Sequence, residues 1–351
     1  MIRIAIAGTG GMAQAHTRRF QELAGCRVVA CCDIQPGRAE GFAQSHKISK
    51  AYTDSDEMLA NESLDAISIV ASDRAHAPIA LAAIRRGLHV MCEKPLADSL
   101  TNARRMAQAA RKKGVLTAVN FSYRNPAATQ KAAQIVRSGR LGRIMHVEGS
   151  YLQSWLVSPA WGDWHTTPAF LWRLSGRHGS LGTLGDIGVH LYDLAHFVVG
   201  PFAALSCEMK VFDKGVKHIG EYVFDVNDSL VTTVRFACGA LGVLHASRWA
   251  TGQSNTVSLR VFGDRGAIDL NLDRPPESQL RICHGAKAVV HSQWQDVACP
   301  PVPDMYARFI HSIRRRQQGQ TSFEEGAMIQ SYLHGSLESA QQGKWVKIKL
   351  G

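Results

Sequence analysis

"IRIAIAGTGGMA", Ile2 to Ala13, decides the fold. Six residues with strand character run straight into a glycine turn and on into a helical pattern, and Gly8, Gly10 and Ala13 fit the spacing GxGxxG/A. In that spacing the glycines allow a tight turn and let backbone approach a pyrophosphate at the helix N-terminus. Strand-turn-helix corners also take glycine for steric reasons alone, so the turn gains meaning from Asp33, which ends the second strand 25 residues after Gly8. A carboxylate there can accept from an adenosine ribose hydroxyl. Gly8, Gly10, Gly11, Met12 and Ala13 are therefore expected to face a dinucleotide, with Asp33 and Ile34 at its adenosine end. Asp33 repels a 2′-phosphate, while Ile34 and Gln35 offer no cation. Arg38 either supplies one or is simply helix surface. NAD is the expected cofactor, with NADP less favoured.

Working outward, strand-like runs (2–7, 27–32, 66–71, 88–92, 116–121) alternate with helical patterns (12–23, 36–46, 78–86, 100–113). Strands separated by helices imply a parallel, doubly wound sheet, a Rossmann domain. "SYRNPAA" at 122–128 breaks the rhythm, which places a domain boundary between 123 and 124. After a helix at 127–138, eight strand-like runs between 144 and 293 follow with Gly, Asp or Asn turns and one helical interruption near 186–199. This predicts an α/β domain over 124–351 with a large, mainly antiparallel open sheet, ending in helices at 303–318 and 324–341 and a closing strand in "GKWVKIKL".

The composition excludes several classes. At 351 residues with 45% hydrophobic and 20% charged residues, the chain has the make-up of a two-domain globular protein. No run reaches the roughly 18 apolar residues of a membrane span. The first residues are spent on a strand and turn, so the reading is cytoplasmic. Eight cysteines without a CxxC pair suit buried free thiols in a reducing compartment, and no metal site is expected. The net charge of +11 comes from clusters spread over separate helices, so no nucleic-acid partner is expected.

"HVMCEKPLA", 89–97, puts Glu93 and Lys94 where a buried strand leaves the sheet, the edge at which ligands bind in such folds. Pro95 holds Lys94 extended and so fixes where it points. After the preceding strand, Ser72, Asp73 and His76 either contact the cofactor or cap a helix beginning near Pro78.

"GTGGMA", Glu93-Lys94-Pro95, "NFSYRNP" at 120–126 and "GDIGVHLYDLAHFVVG" at 185–200 occur in this order, and together they make the whole chain resemble the Gfo/Idh/MocA oxidoreductases. That resemblance implies an NAD(P)-dependent dehydrogenase or reductase of a sugar, anhydrosugar or cyclitol, with Lys94, Asp186 and His190 catalytic. Glu93 and Asn120 then belong to the cofactor pocket, the Lys94–Pro95 bond is cis, and the open sheet makes a homodimer or homotetramer. Many members carry Pro-Asn where Ser72-Asp73 stand here. Independently, residues four apart on a helix share a face, so Asp186 and His190 can look into one cleft. The expected chemistry is hydride loss from a carbinol carbon with proton removal by His190, Lys94 relaying the proton or polarising the oxygen. At this stage the histidine and lysine roles are interchangeable.

Four of the seven tryptophans (155, 161, 164, 172) fall between 151 and 190. Either they are core, or they offer flat rings to a polyhydroxylated substrate. His165, Trp172 and Arg173 are the expected substrate contacts, together with Tyr123 and Arg124, which stand beside the cofactor. Two other readings stay open: an NAD-binding ligand sensor without turnover, and a glycosidase assisted by bound NAD.

Overall fold

The computed structural model describes residues 1–349, the side chains of residues 168 and 169 excepted. The chain forms two compact units, Met1–Phe121 with Pro303–Gln330, and Ser122–Val302 with Ser331 onward. In the first unit β1 (Ile2–Ala7), α1 (Gly11–Glu22), β2 (Cys26–Cys32), α2 (Arg38–His46), β3 (Lys50–Tyr52), α3 (Ser55–Asn61), β4 (Ala66–Ile69), α4 (Asp73–Arg85), β5 (His89–Cys92), α5 (Leu100–Lys113) and β6 (Thr117–Val119) follow one another. The strands pair in parallel in the order β3-β2-β1-β4-β5-β6. Central strands buried on both faces need continuous apolar runs, and Ile4 to Ala7, Ile67, Ile69 and Val90 to Cys92 are fully buried.

Three details depart from the sequence reading. The segment 50–61 holds an edge strand and a short helix, too brief for periodicity to show, although Asp54 caps the helix by accepting from the Glu57 amide. Helix α4 starts at Asp73 rather than near Pro78, and Ser72 is its N-cap residue. Pro78 is tolerated because it lies exposed in the second turn, where its missing N–H removes a single ladder bond. Pro303–Gln330, read as part of the second domain, belongs to the first unit.

The second unit holds a 3-10 turn (Ser122–Arg124), α6 (Ala127–Arg137), β7 (Ile144–Gln153), a short helix α7 (Pro168–Leu171), a π-turn (Leu184–Gly188) and α8 (Val189–Val199). Then come β8 (Phe202–Lys210), β9 (His218–Ile219), β10 (Tyr222–Val223), β11 (Ser229–Phe236), β12 (Leu241–Ser247), β13 (Asn255–Gly263), β14 (Gly266–Asn271) and β15 (Leu280–His284). After α9 (Ala286–Val290) and β16 (Gln295–Asp296), α10 (Met305–Arg315) lies in the first unit, where Tyr306 packs edge-on against His16 and Phe20. Helix α11 (Phe323–Gln342) and β17 (Val346–Lys347) complete the described chain.

Nine strands form one sheet in the order β16-β15-β14-β13-β7-β12-β11-β8-β17, antiparallel throughout except for β7 with β12. The run 288–293, expected as a strand, is instead covered at its start by α9, a short apolar stretch whose periodicity fits either element. Burial alternates along β11, with Leu230, Thr232, Val234 and Phe236 inward and Val231 and Arg235 outward. The inner face meets α8: a Cβ added to Gly149 on β7 would come within 3.1 Å of Leu191.

Candidate functional site

In the first unit the glycine turn has no room for a side chain at Gly8. Gly8 adopts φ +90°, and a Cβ there would lie 2.6 Å from the Ala71 backbone nitrogen. Beside it opens a cavity of about 390 Å³ lined by Gly8, Gly10, Asp33, Ile34, Arg38 and Ser72, together with Thr53 to Ser55. Asp33 Oδ2 accepts from both the amide and the hydroxyl of Thr9 at 2.8 Å, and Oδ1 accepts from the Gln35 amide at 3.0 Å. Burial alone would raise its pKa, but these bonds and Arg38, 3.7 Å away, hold it below the usual carboxylate range. An ionised carboxylate at the cavity rim can accept a ribose hydroxyl. Thr9 was missed by the sequence reading, since the residue between two glycines of this motif is otherwise unconstrained. Thr53 to Ser55 were missed with the short elements that carry them.

The remaining residues of the expected cofactor set lie outside that cavity lining. Ala13 is fully buried inside α1, Gly11 and Met12 are exposed at its start, and Asp73 opens α4. His76 is a correction: it is fully buried, with its ring nitrogens 3.0 Å from the Pro95 carbonyl and 3.1 Å from that of Ala71. It ties the end of the segment after β4 to the chain just past Lys94. The Lys94–Pro95 bond is cis and Lys94 is half-buried.

Glu93 also turns inward. Its Oε1 accepts from His16 Nε2 at 2.9 Å and from Asn120, and its Oε2 accepts from the Lys94 amide at 3.1 Å. Burial opposes its ionisation, yet these partners hold its pKa at about 2. Asn120 spends its amide nitrogen on this cluster, and its buried oxygen has no hydrogen-bond partner among the described residues.

In the second unit Asp186 sits in the π-turn that leads into α8. Its Oδ2 is 3.0 Å from the Arg248 guanidinium and 3.6 Å from that of Arg173. Arg248 is fully buried over the Trp155 ring, and burial lowers its pKa against the opposing pull of Asp186. Sequence gave no signal for it, because an arginine at a strand end reads as surface. The start of the π-turn is pinned by Asn227, whose side chain accepts from the Leu184 amide and whose carbonyl accepts from that of Thr183.

His190 is buried, and the Tyr123 ring meets it edge-on at 5.1 Å. The Tyr123 hydroxyl belongs to a closed ring: Tyr151 donates to Asn255 at 2.9 Å, Asn255 donates to Tyr123 at 3.2 Å, and Tyr123 completes the circuit to Tyr151 at 2.7 Å. Burial raises the Tyr151 phenol far above its ordinary range, so it stays protonated and is not a base. Tyr123 thus braces the histidine.

Arg124, expected at the substrate, is fully buried with its guanidinium on Asp193, 2.6 Å at the shortest, and over the Phe197 ring. Its charge is thus committed to an ion pair inside α8's packing. Among the tryptophans, Trp155 and Trp164 are core, packed with Leu156, Leu171, Leu174 and Phe224. Trp172 stays exposed with the Arg173 guanidinium 4.7 Å above its ring. His165 is exposed, stacked on Trp164 and paired with Asp163 at 2.7 Å.

The first unit supplies a dinucleotide pocket and a half-buried lysine, and the second a carboxylate and an imidazole one turn apart. No cluster of three or more potential metal ligands occurs among the described residues, and no helix is long and apolar enough to cross a membrane.

Comparison with known proteins agrees with these features. The family model described as an oxidoreductase family with an NAD-binding Rossmann fold matches residues 2–121, and that of the Gfo/Idh/MocA C-terminal domain matches residues 129–269. Levoglucosan dehydrogenase of Pseudarthrobacter phenanthrenivorans is 28% identical over 80% of this chain and 76% of its own. D-glucoside 3-dehydrogenase of Escherichia coli is 31% identical over 70% of each. A solved levoglucosan dehydrogenase in complex with NADH and levoglucosan shares the fold, with a TM-score of 0.88 at 24% identity over 99% of both chains. The chain belongs to the Gfo/Idh/MocA oxidoreductase family.

Proposed function

We propose that this protein is an NAD-dependent dehydrogenase that oxidises one carbinol of a sugar, anhydrosugar or cyclitol. The observation that carries the reading is the pairing, one turn apart, of Asp186 held by Arg248 with His190 braced by Tyr123. Levoglucosan and D-glucosides, substrates named for the relatives, define the chemistry to test first.

The first unit fits the cofactor: open space beside Gly11, with only the Arg38 side chain near Gly10, leaves the start of α1 clear for a pyrophosphate, and Asp33 offers its carboxylate to a ribose rather than to a phosphate. NAD is therefore preferred over NADP. NAD held there would supply the acceptor for the hydride that leaves the carbinol carbon. His190 takes the hydroxyl proton, since an imidazole exchanges protons near neutral pH. Asp186 orients an adjacent substrate hydroxyl, and the Lys94 ammonium polarises the reacting oxygen. Trp172, Arg173 and His165 are assigned to the sugar, the indole offering a flat face to its C–H surface.

The test is NADH formation with levoglucosan, methyl glucosides and inositols, using NAD and then NADP. Lys94→Ala and His190→Ala should each lower turnover by about a thousandfold, with NADH binding retained. Normal turnover in either variant would overturn its assignment. Glycoside cleavage without net NADH would replace the dehydrogenase by an NAD-assisted glycosidase, and tight NADH binding without turnover on any polyol would leave a sensor.

The outward residues Val231 and Leu241, about half exposed, support a homodimer or homotetramer through the open sheet face, which sedimentation velocity would reveal. Eight cysteines standing as free thiols support a reducing compartment such as the cytoplasm.

A further inference from the structure

We propose that His16 is a positioning residue for Lys94, acting through the side chain of Glu93. The inference rests on the reading of Lys94 as catalytic. His16 lies on α1 and is fully buried. Its Nδ1 is 2.8 Å from the hydroxyl of Ser68, itself fully buried on β4, and its Nε2 is 2.9 Å from Glu93 Oε1. Because Glu93 is an acceptor only, Nε2 carries the proton and donates it. The second carboxylate oxygen of Glu93 then accepts the backbone N–H of Lys94. An unbroken line of hydrogen bonds therefore runs from β4 through His16 and Glu93 to the backbone of the lysine. On the far side of Lys94, the Pro95 carbonyl meets His76.

Packing alone does not require this arrangement. A buried carboxylate costs several kcal/mol unless fully partnered, and an apolar side chain would fill the same space more simply. What the carboxylate adds is a second oxygen, and that oxygen is committed to the amide of the residue that must be aimed. Tyr306 closes the cluster, its ring edge-on to His16 at 4.9 Å. The side chain of Lys94 can rotate about its own bonds, but the origin of that rotation is set by Glu93, and hence by His16.

The two amide substitutions separate the two nitrogens. His16→Gln places an N–H donor near the position of Nε2 and keeps the bond to Glu93; His16→Asn reproduces the Nδ1 side and keeps only Ser68. In the full-length protein, amide hydrogen exchange at Lys94 and steady-state kinetics with NAD and the most active of the polyols above would be measured alongside NADH binding and melting temperature. Expected is a kcat about a hundredfold lower in His16→Asn with substrate KM and NADH affinity little changed, substantial rescue in His16→Gln, and faster Lys94 amide exchange in the Asn variant alone. Wild-type kcat and exchange in His16→Asn would overturn the proposal, as would equal losses in the two variants. Should both fail to fold, Glu93→Gln decides: with one acceptor oxygen it cannot serve both His16 and the Lys94 amide, so an unchanged kcat there would also overturn it. Lys94→Ala is the control, since activity surviving in that variant refutes the catalytic reading of Lys94 itself, while Lys94 exchange in the His16 variants still tests the bond.

Discussion

Asp33 commits one carboxylate oxygen to Thr9 and the other to the Gln35 amide, so its charge is fixed in place at the cavity rim rather than left to a flexible side chain. Arg38, 3.7 Å from it, is drawn to that carboxylate and also donates to Gln35. Asp33→Ala should remove the repulsion of a 2′-phosphate and release Arg38 toward it, raising the NADP-to-NAD ratio of kcat/KM by about tenfold or more. An unchanged ratio would mean that Asp33 does not set the preference. At this scale the ends of strands were readable, because glycine spacing and a carboxylate at the end of β2 are local patterns. Partners distant in sequence were not: nothing near Arg124 announces Asp193, and nothing near Asp186 announces Arg248.

Helix α8 shows what an element owes to its neighbours. Its spacing of Asp186 and His190 was legible, but its entry by a π-turn was not, since that turn depends on Asn227, which arrives from beyond three later strands. The helix also carries Asp193, fully paired with Arg124 from the turn that bears Tyr123. Removing one partner of such a buried pair strands a charge, so Asp193→Asn should cost about 3–5 kcal/mol in chemical denaturation. The double replacement Arg124→Met with Asp193→Leu should recover much of this, because no charge then remains buried. Turnover in the double variant reports whether the pair also holds Tyr123 against His190. Short elements escaped the sequence reading for a different reason: β3, α3 and α9 span at most about two periods, too few for a repeat to stand out, and Pro78 masked the first turn of α4.

The whole molecule responds to pH through groups such as Glu93. Its pKa in the folded protein is about 2 against an ordinary 4.5: burial would raise it, and the bonds from His16 and Asn120 with the charge of Lys94 bring it down. A carboxylate whose folded pKa is depressed stabilises the fold above its unfolded pKa, and that contribution is lost as pH falls through the folded pKa. The window is therefore pH 4.5 to 2, and the contribution is worth about 3 kcal/mol by the conversion of pKa to free energy. Glu93→Gln should show a smaller loss of unfolding free energy than wild type across that window, and parallel pH profiles would refute the linkage. The sequence by itself determined the parallel first sheet, the open second sheet, the glycine turn with Asp33, and the four-residue spacing of Asp186 and His190. Each follows from periodicity or spacing along a short stretch of chain. Only the tertiary structure decided that Arg124 and His76 are buried among internal partners, that Arg248 meets Asp186 and His16 meets Glu93, and that Pro303–Gln330 packs with the first unit. Those outcomes depend on which groups meet after burial, where an unpaired charge or polar atom is costly and a distant partner settles the role of the residue.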